Sequence, residues 1–272
     1  MISVVIPAYN EARRIPATLR AVHRHLTAVG EPFEILVMDD GSRDGTVGVV
    51  NRLRVELPGV SVIQLPANCG KGRAVREGML RACGDFVLFT DADQSTPIGY
   101  LPHLLAPIRQ QGCEVAIGSR GVAGSQLLKV QSAWRRFLGR AFGALMRTVL
   151  ITGVRDSQCG FKCFTREAAA RIFPHVTCAN ALFDMEVLLL AARYGYRVAE
   201  IPVRWVHDPD SRLTYNVRGS LMLLRELLRI RRHWRVGWPE RVRVLHVLPS
   251  HVDFASTQAE AIFAPVDAAR TS

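Results

Sequence analysis

The 272-residue sequence predicts an α/β fold, a mostly parallel sheet with helices on both faces. Three observations lead there. Short apolar, β-branched runs recur at 2–6, 33–38, 60–65, 86–90 and 114–118, bounded by Gly, Pro, Asn or Asp as buried parallel strands are. Helical patterns fill the intervals between the first four runs. Polar residues gather at the ends of the runs, where open α/β sheets bind ligands. A composition of 49% hydrophobic and 22% charged residues is that of a globular chain and excludes a disordered one.

Taken in order, the run at 2–6 opens the chain directly on a strand, so no signal peptide is expected. Ile15, Leu19, Val22 and Leu26 recur at helical spacing and predict a helix over 11–29. Residues 46–56 and 71–82 carry the second and third helices. Alternation of this kind lays successive strands parallel in one sheet. A last strand is expected over 196–206. After Leu248 the Pro249, Pro265 and Ala/Ser/Thr-rich segment predicts a loose extension. No apolar run reaches the ~18–20 residues of a membrane span; the best candidate is interrupted by Arg140 and Arg147. The six cysteines form no CxxC pair, which predicts reduced thiols in a cytosolic protein.

The net charge of +11 is localised. Residues 129–147 hold Lys129, Arg135, Arg136, Arg140 and Arg147 and no acid. Residues 212–235 hold seven arginines against Glu226 alone. These windows account for the whole excess and predict two basic surfaces facing an anion. At 100° per residue, Lys129, Arg136, Arg140 and Arg147 fall within about 40° of one another, opposite an apolar side. In the second window Arg218, Arg225, Arg229 and Arg232 form a stripe beside Val217, Leu221, Leu224 and Leu228, followed by Trp234 and Trp238. Such a helix suits a membrane interface. Nucleic acid is not the expected partner, because no aromatic stacking platform or recognised binding motif accompanies the arginines.

The polar strand ends read Pro7-Ala8-Tyr9-Asn10-Glu11, Asp39-Asp40-Gly41-Ser42, Asn68-Cys69-Gly70-Lys71-Gly72 and Asp91-Ala92-Asp93-Gln94. Asp91 and Asp93 straddle one residue, so on an extended chain both carboxylates point to one side. Two hard oxygen ligands suit Mg²⁺ or Mn²⁺ that also holds substrate phosphates. Asp39, Asp40 and Glu11 offer acceptors for a base or ribose. Lys71 supplies a point charge for a diphosphate, and Gly70 and Gly72 admit close backbone approach. The composite is a nucleoside-diphosphate site with a divalent cation. Neither a P-loop frame nor a dinucleotide fingerprint is present.

These four segments resemble the family-two glycosyltransferases, whose GT-A fold is Rossmann-like. Gly118-Ser119-Arg120, Asp156-Ser157-Gln158-Cys159-Gly160-Phe161-Lys162 and Phe183-Asp184-Met185-Glu186 narrow the resemblance to the dolichyl- and polyprenyl-phosphate glycosyltransferases. The D-x-Q-C-G-F-K form looks most like the dolichyl-phosphate beta-glucosyltransferases. The resemblance implies that Pro7, Tyr9, Glu11, Asp39, Asp40, Lys71, Asp91 and Gln94 bind a nucleoside-diphosphate sugar, a UDP-hexose such as UDP-glucose; the loop after the last strand is expected to close over it with Arg212 on a phosphate. It implies that Asp91 and Asp93 hold the metal; His207, in the loop after the last strand, is a further candidate ligand read from its position. It places Asp93, Arg120, Asp184 and Glu186 at the chemistry; because a phosphate acceptor needs no base, Asp184 and Glu186 are expected to position arginines, loops or sugar hydroxyls more than to abstract protons. Arg120, Arg135, Arg136, Gln158 and Lys162 would meet a polyprenyl-phosphate acceptor. The implied reaction is inverting transfer at the cytosolic membrane face by a peripheral enzyme. A soluble family-two enzyme with a saccharide or small-alcohol acceptor is the alternative. The expected organisation is a catalytic domain over 1–212, an amphipathic membrane-associating helix over 213–239 and the extension over 240–272.

Overall fold

The computed structural model describes residues 1–128, 149–206 and 217–247. The first window of basic residues and the segments 207–216 and 248–272 lie outside them. The order of elements is β1 (Ile2–Ala8), α1 (Ile15–Val29), β2 (Phe33–Asp39), α2 (Thr46–Glu56), β3 (Val60–Gln64), α3 (Lys71–Arg81) and β4 (Phe86–Thr90). Then follow α4 (Leu101–Gln111), β5 (Val115–Ser119), β6 (Gln126–Leu128), β7 (Ile151–Thr152), β8 (Phe161–Thr165) and α5 (Arg166–Ile172). The described chain continues with α6 (Phe183–Arg193), β9 (Arg197–Pro202), β10 (Arg204–Val206), α7 (Val217–His233), β11 (Glu240–Arg241) and β12 (Arg243–His246).

One sheet in the order β12-β9-β5-β8-β4-β1-β2-β3 forms the middle layer. All its pairings are parallel except those of β8, which runs antiparallel between β4 and β5. Period-two alternation sends Val4 and Ile6 to one face and Val5 to the other. The Val4 face buries Leu19 and Val22 of α1, Val50 of α2 and Leu104 of α4. The Val5 face buries Val75 of α3, Ala168 of α5, Leu188 of α6 and Leu227 and Ile230 of α7. The expected α/β class with helices on both faces is therefore observed, and α7 packs into the same core as the sheet.

Local chemistry explains the departures from the sequence reading. Helix α1 begins at Ile15, not at Glu11. The Glu11 carbonyl accepts N–H bonds from Arg14 and Ile15, and Pro16 sits in the first turn, where a missing N–H costs nothing. The strand expected over 196–206 divides at Val203. β9 joins the main sheet, whereas β10 pairs with β6. Residues 240–246, expected to begin a loose extension, instead supply β11 and β12. The open edge of β9 takes β12 from Arg243↔Arg197 to His246↔Glu200, as exposed sheet edges favour.

Helix α3 approaches the sheet closely at Gly78. A Cβ there would lie 2.4 Å from Val5 Cγ1 and 2.7 Å from Met38 Cγ. Gly78→Ala should therefore lower stability by about 1–3 kcal/mol, outweighing alanine's ~1 kcal/mol helix preference. Urea denaturation of a variant with an unchanged far-UV spectrum checks this.

Candidate active site

The C-terminal ends of β1, β2 and β4 and the loop before α3 enclose a cleft of about 340 Å³. Pro7, Tyr9 and Glu11 line it from β1, Asp40 from β2, and Asp91 and Asp93 from the end of β4, with Lys71 at the start of α3. Seven residues expected from sequence thus converge on one cavity. Asn68, from the polar segment 68–72, also lines it, and so does Arg14, which the sequence reading did not single out. Arg14 holds Glu11 through Nε–Oε2 and Nη2–Oε1 bonds of 2.6 and 2.7 Å, so the Glu11 carboxylate acts as one half of an ion pair. Its position three residues after Glu11 was the available signal.

Asp40 lines the cleft and also fixes its wall. Its carboxylate accepts the N–H groups of Cys69 and Gly70, both at 2.8 Å. Burial raises its pKa above the ordinary 3.8, and the two N–H groups oppose that shift. Asp39 is fully buried outside the cleft lining; Oδ2 accepts the Ser42 N–H at 2.9 Å, and Oδ1 has no partner among the described residues.

Lys71 meets Asp91 at 2.6 Å. Burial would lower the Lys71 pKa, but the Asp91 and Asp184 carboxylates carry it up to about 12. The ammonium is therefore charged throughout the physiological range. The 91–94 segment turns rather than extending, with the Gln94 N–H on the Asp91 carbonyl. The proximity of the two carboxylates survives the turn. Burial foremost, then the charge of Asp91, raises the Asp93 pKa. Gly160 closes the back of the site: a Cβ there would lie 2.1 Å from Asp91 Oδ2. Gln94 is buried at φ +52°; its Oε1 accepts the Ile98 N–H, and Nε2 has no partner among the described residues.

The donor set of Asp91 and Asp93 fits a divalent cation. Two hard carboxylates repel one another across an open cleft, and Mg²⁺-type sites use one or two carboxylates with waters and phosphate. Among the described residues no three His, Cys, Asp or Glu side chains form a closed metal cluster. His207, Arg212, Arg135 and Arg136 fall outside the described residues.

Arg120 stands at the end of β5. Its backbone N–H, Nε and Nη2 all bond Asp156 at 2.6–3.0 Å. Its guanidinium lies 5.3 Å from the Trp205 ring centroid. Burial opposes ionisation of Asp156, yet Arg120 holds its carboxyl below the ordinary 3.8. Gln158 is half-buried, its N–H on Asp156 and its Nε2 without a partner among the described residues. Glu200, which sequence reasoning missed, is fully buried beneath this group and accepts from Ser119 Oγ and the Arg155 and Asp156 N–H groups. Its signal was a lone acid within Val198-Ala199-Glu200-Ile201.

Expected contacts with substrate are corrected at five positions: Asp39, Gln94, Lys162, Asp184 and Glu186 are buried and none lines the cleft. Lys162, expected at the acceptor, is fully buried. Its ammonium is ion-paired with Asp184, donates to the Cys159 carbonyl at 2.5 Å and lies 5.3 Å from the Phe89 ring centroid. Glu186, expected at the chemistry, is also fully buried. Its oxygens take up the Thr177 and Cys178 N–H groups, the Thr177 hydroxyl and the Trp234 indole N–H. Asp184 sits behind the cleft, its pKa raised by burial and drawn back by Lys162 and Lys71.

The model of glycosyl transferase family 2 matches residues 3–173. The chain belongs to glycosyl transferase family 2. Within this family it is 34% identical over 244 residues to a dolichyl-phosphate beta-glucosyltransferase of Trichomonas vaginalis, covering 86% of this chain and 71% of that one. It is 36% identical over 225 residues to the dolichyl-phosphate beta-glucosyltransferase of Drosophila melanogaster, covering 78% and 69%. The glycosyltransferase fold is shared with glucosyl-3-phosphoglycerate synthase of Mycobacterium tuberculosis, a structure in complex with Mn²⁺, UDP and glucosyl-3-phosphoglycerate. That comparison gives a TM-score of 0.60 at 19% identity, over 88% of this chain and 81% of that one.

Two outcomes follow for this glycosyltransferase. Asp184→Asn leaves the buried Lys162 charge uncompensated and should cost about 3–5 kcal/mol in equilibrium denaturation. The double change Asp184→Leu with Lys162→Met should recover much of that loss. Asp156 has a depressed folded pKa, so its contribution is present above the ordinary 3.8 and is lost as pH falls through the folded value. Asp156→Asn should flatten the acid limb of a stability–pH profile below about pH 4.

Proposed function

We propose that the protein transfers a hexose from a UDP-sugar, UDP-glucose, to a polyprenyl or dolichyl phosphate, with inversion and with Mg²⁺ or Mn²⁺. The observation that carries this reading is the juxtaposition of Lys71, Asp91 and Asp93 in one cleft at the strand ends. Pro7, Tyr9 and Asp40 border the nucleoside, and Lys71 bears on the diphosphate. A cation held by Asp91 and Asp93 supplies positive charge at the leaving diphosphate.

An acceptor phosphate monoester has its second pKa near ~6 and is mostly dianionic at pH 7. Its oxygen attacks the anomeric carbon as the bond to the donor diphosphate breaks. The nucleoside diphosphate leaves with the bonding pair, and no proton needs removal. A general base, which an alcohol acceptor requires, has no task here. That agrees with Asp184 being engaged by Lys162. Attack from the far face of an α-linked donor gives a β-linked sugar phosphate. Arg120, oriented by Asp156, is the group for the acceptor phosphate.

A lipid acceptor requires access to a membrane. No helix among the described residues is long and apolar enough to cross one. Helix α7 instead exposes Met222, Leu224 and Leu228 beside Arg225, Arg229 and Arg232, and Trp238 just beyond it is 88% exposed. This is the composition of a helix lying in a lipid interface, each basic residue adding ~1 kcal/mol near anionic lipid. We assign it to peripheral binding at the cytosolic face, joined by the basic residues of 129–147.

A donor panel tests the reading. Membranes carrying polyprenyl phosphate are incubated with UDP-glucose, UDP-N-acetylhexosamines, UDP-galactose and GDP-mannose, with and without Mn²⁺. Transfer of glucose to the lipid, abolished by chelator, is expected. Chelator-resistant transfer would refute the metal, and transfer only to water-soluble acceptors would favour the soluble alternative.

A further inference from the structure

The Lys71 loop is held by a second loop as well as by its own helix. Gly70 and Gly72 lie against residues 178–179: a Cβ at Gly70 would sit 2.4 Å from the Ala179 carbonyl oxygen. One at Gly72 would sit 2.4 Å from that of Cys178. The Gly72 N–H donates to the Ala179 carbonyl at 2.8 Å. Lys71 between them lies 6.0 Å from the Phe183 ring centroid. The 177–179 loop belongs to no strand or helix, so its N–H groups need partners from elsewhere. Glu186 provides them: Oε2 accepts from Thr177 N at 2.8 Å and Cys178 N at 2.7 Å. Oε1 takes the Thr177 hydroxyl at 2.8 Å and the Trp234 indole N–H, just past α7, at 2.7 Å.

We propose that Glu186 is a positioning residue for Lys71, acting through the 177–179 loop, and that Trp234 holds Glu186 in place. The seat of α7 is thereby coupled to the donor cleft. The consequence for substrate rests on the reading of that cleft as a nucleoside-diphosphate site. The coupling between loops rests on the hydrogen bonds alone.

The test uses the full chain, Glu186→Gln and Trp234→Phe, the latter removing one N–H while keeping an aromatic ring. Amide hydrogen exchange is read at Gly72, with Leu88 in the sheet as control, and UDP affinity is measured by calorimetry with Mn²⁺. Losing a buried hydrogen bond to a charged group should speed Gly72 exchange and weaken UDP binding, each about tenfold, with Leu88 unchanged. In a Lys71→Ala background, Glu186→Gln should change UDP affinity no further. Unchanged Gly72 exchange in folded Trp234→Phe overturns the proposal, even where Glu186→Gln fails to fold. A full additional loss of affinity on top of Lys71→Ala also overturns it, since Glu186 then acts by another route. Faster Gly72 exchange in both variants of a protein whose wild type does not bind UDP supports the coupling and refutes the nucleotide reading.

Discussion

A fully buried ammonium, that of Lys162, constrains the rest of the molecule. An unpaired charge in a protein interior is too costly to keep, so Asp184 of α6 must stand against β8, and the Cys159 carbonyl must turn inward. That requirement ties β8, which runs antiparallel between β4 and β5, to a helix on the Val5 face. The segment entering β8 follows. Gly160 comes to rest on Asp91, and Asp156 reaches Arg120 at the next strand end. The segment that enters β8 thus lies between the donor cleft at the end of β4 and the arginine at the end of β5.

The same constraint explains what could be read in advance. Strands β1 to β5 and helices α1 to α3 were legible because local periodicity reports burial directly. The contents of the cleft were legible because parallel strands present their ends at one edge, so Glu11, Asp40, Lys71, Asp91 and Asp93 had to converge. Strand β8 was obscured by its motif. Its Lys162 occupies a core position, and a charge within a chemically suggestive segment reads in sequence as a contact with substrate. Glu186 was misplaced for the same reason. Whether such a residue faces solvent depends on a partner far along the chain. For Lys162 that is Asp184, 22 residues away, and for Glu186 it is Trp234, 48 away. Sequence periodicity holds no information about pairings at that range. β12 was hidden because its pattern, Arg-Val-Leu-His, acquires meaning only beside the open edge of β9.

The acids divide into two working groups. Asp91 and Asp93 face the cleft with Lys71 as their nearest cation, an arrangement that favours a further positive charge. Four further acids brace loops. Asp40 holds the N–H groups of Cys69 and Gly70, Asp156 those of Arg120 and Gln158, Glu200 those of Arg155 and Asp156, and Glu186 those of Thr177 and Cys178.

Loops at strand ends have no ladder to satisfy their N–H groups, yet a site needs them fixed to fractions of an ångström. A carboxylate can take up two or more such donors at once, and charge-assisted bonds are about twice as strong as neutral ones. Each carboxylate also comes from a different element than most of the N–H groups it binds. The loops are thus braced by one another and by the sheet. Replacing any of these acids with its amide keeps the shape but substitutes a donor for an acceptor against N–H groups. The loss should appear first in the geometry of the cleft and only second in global stability.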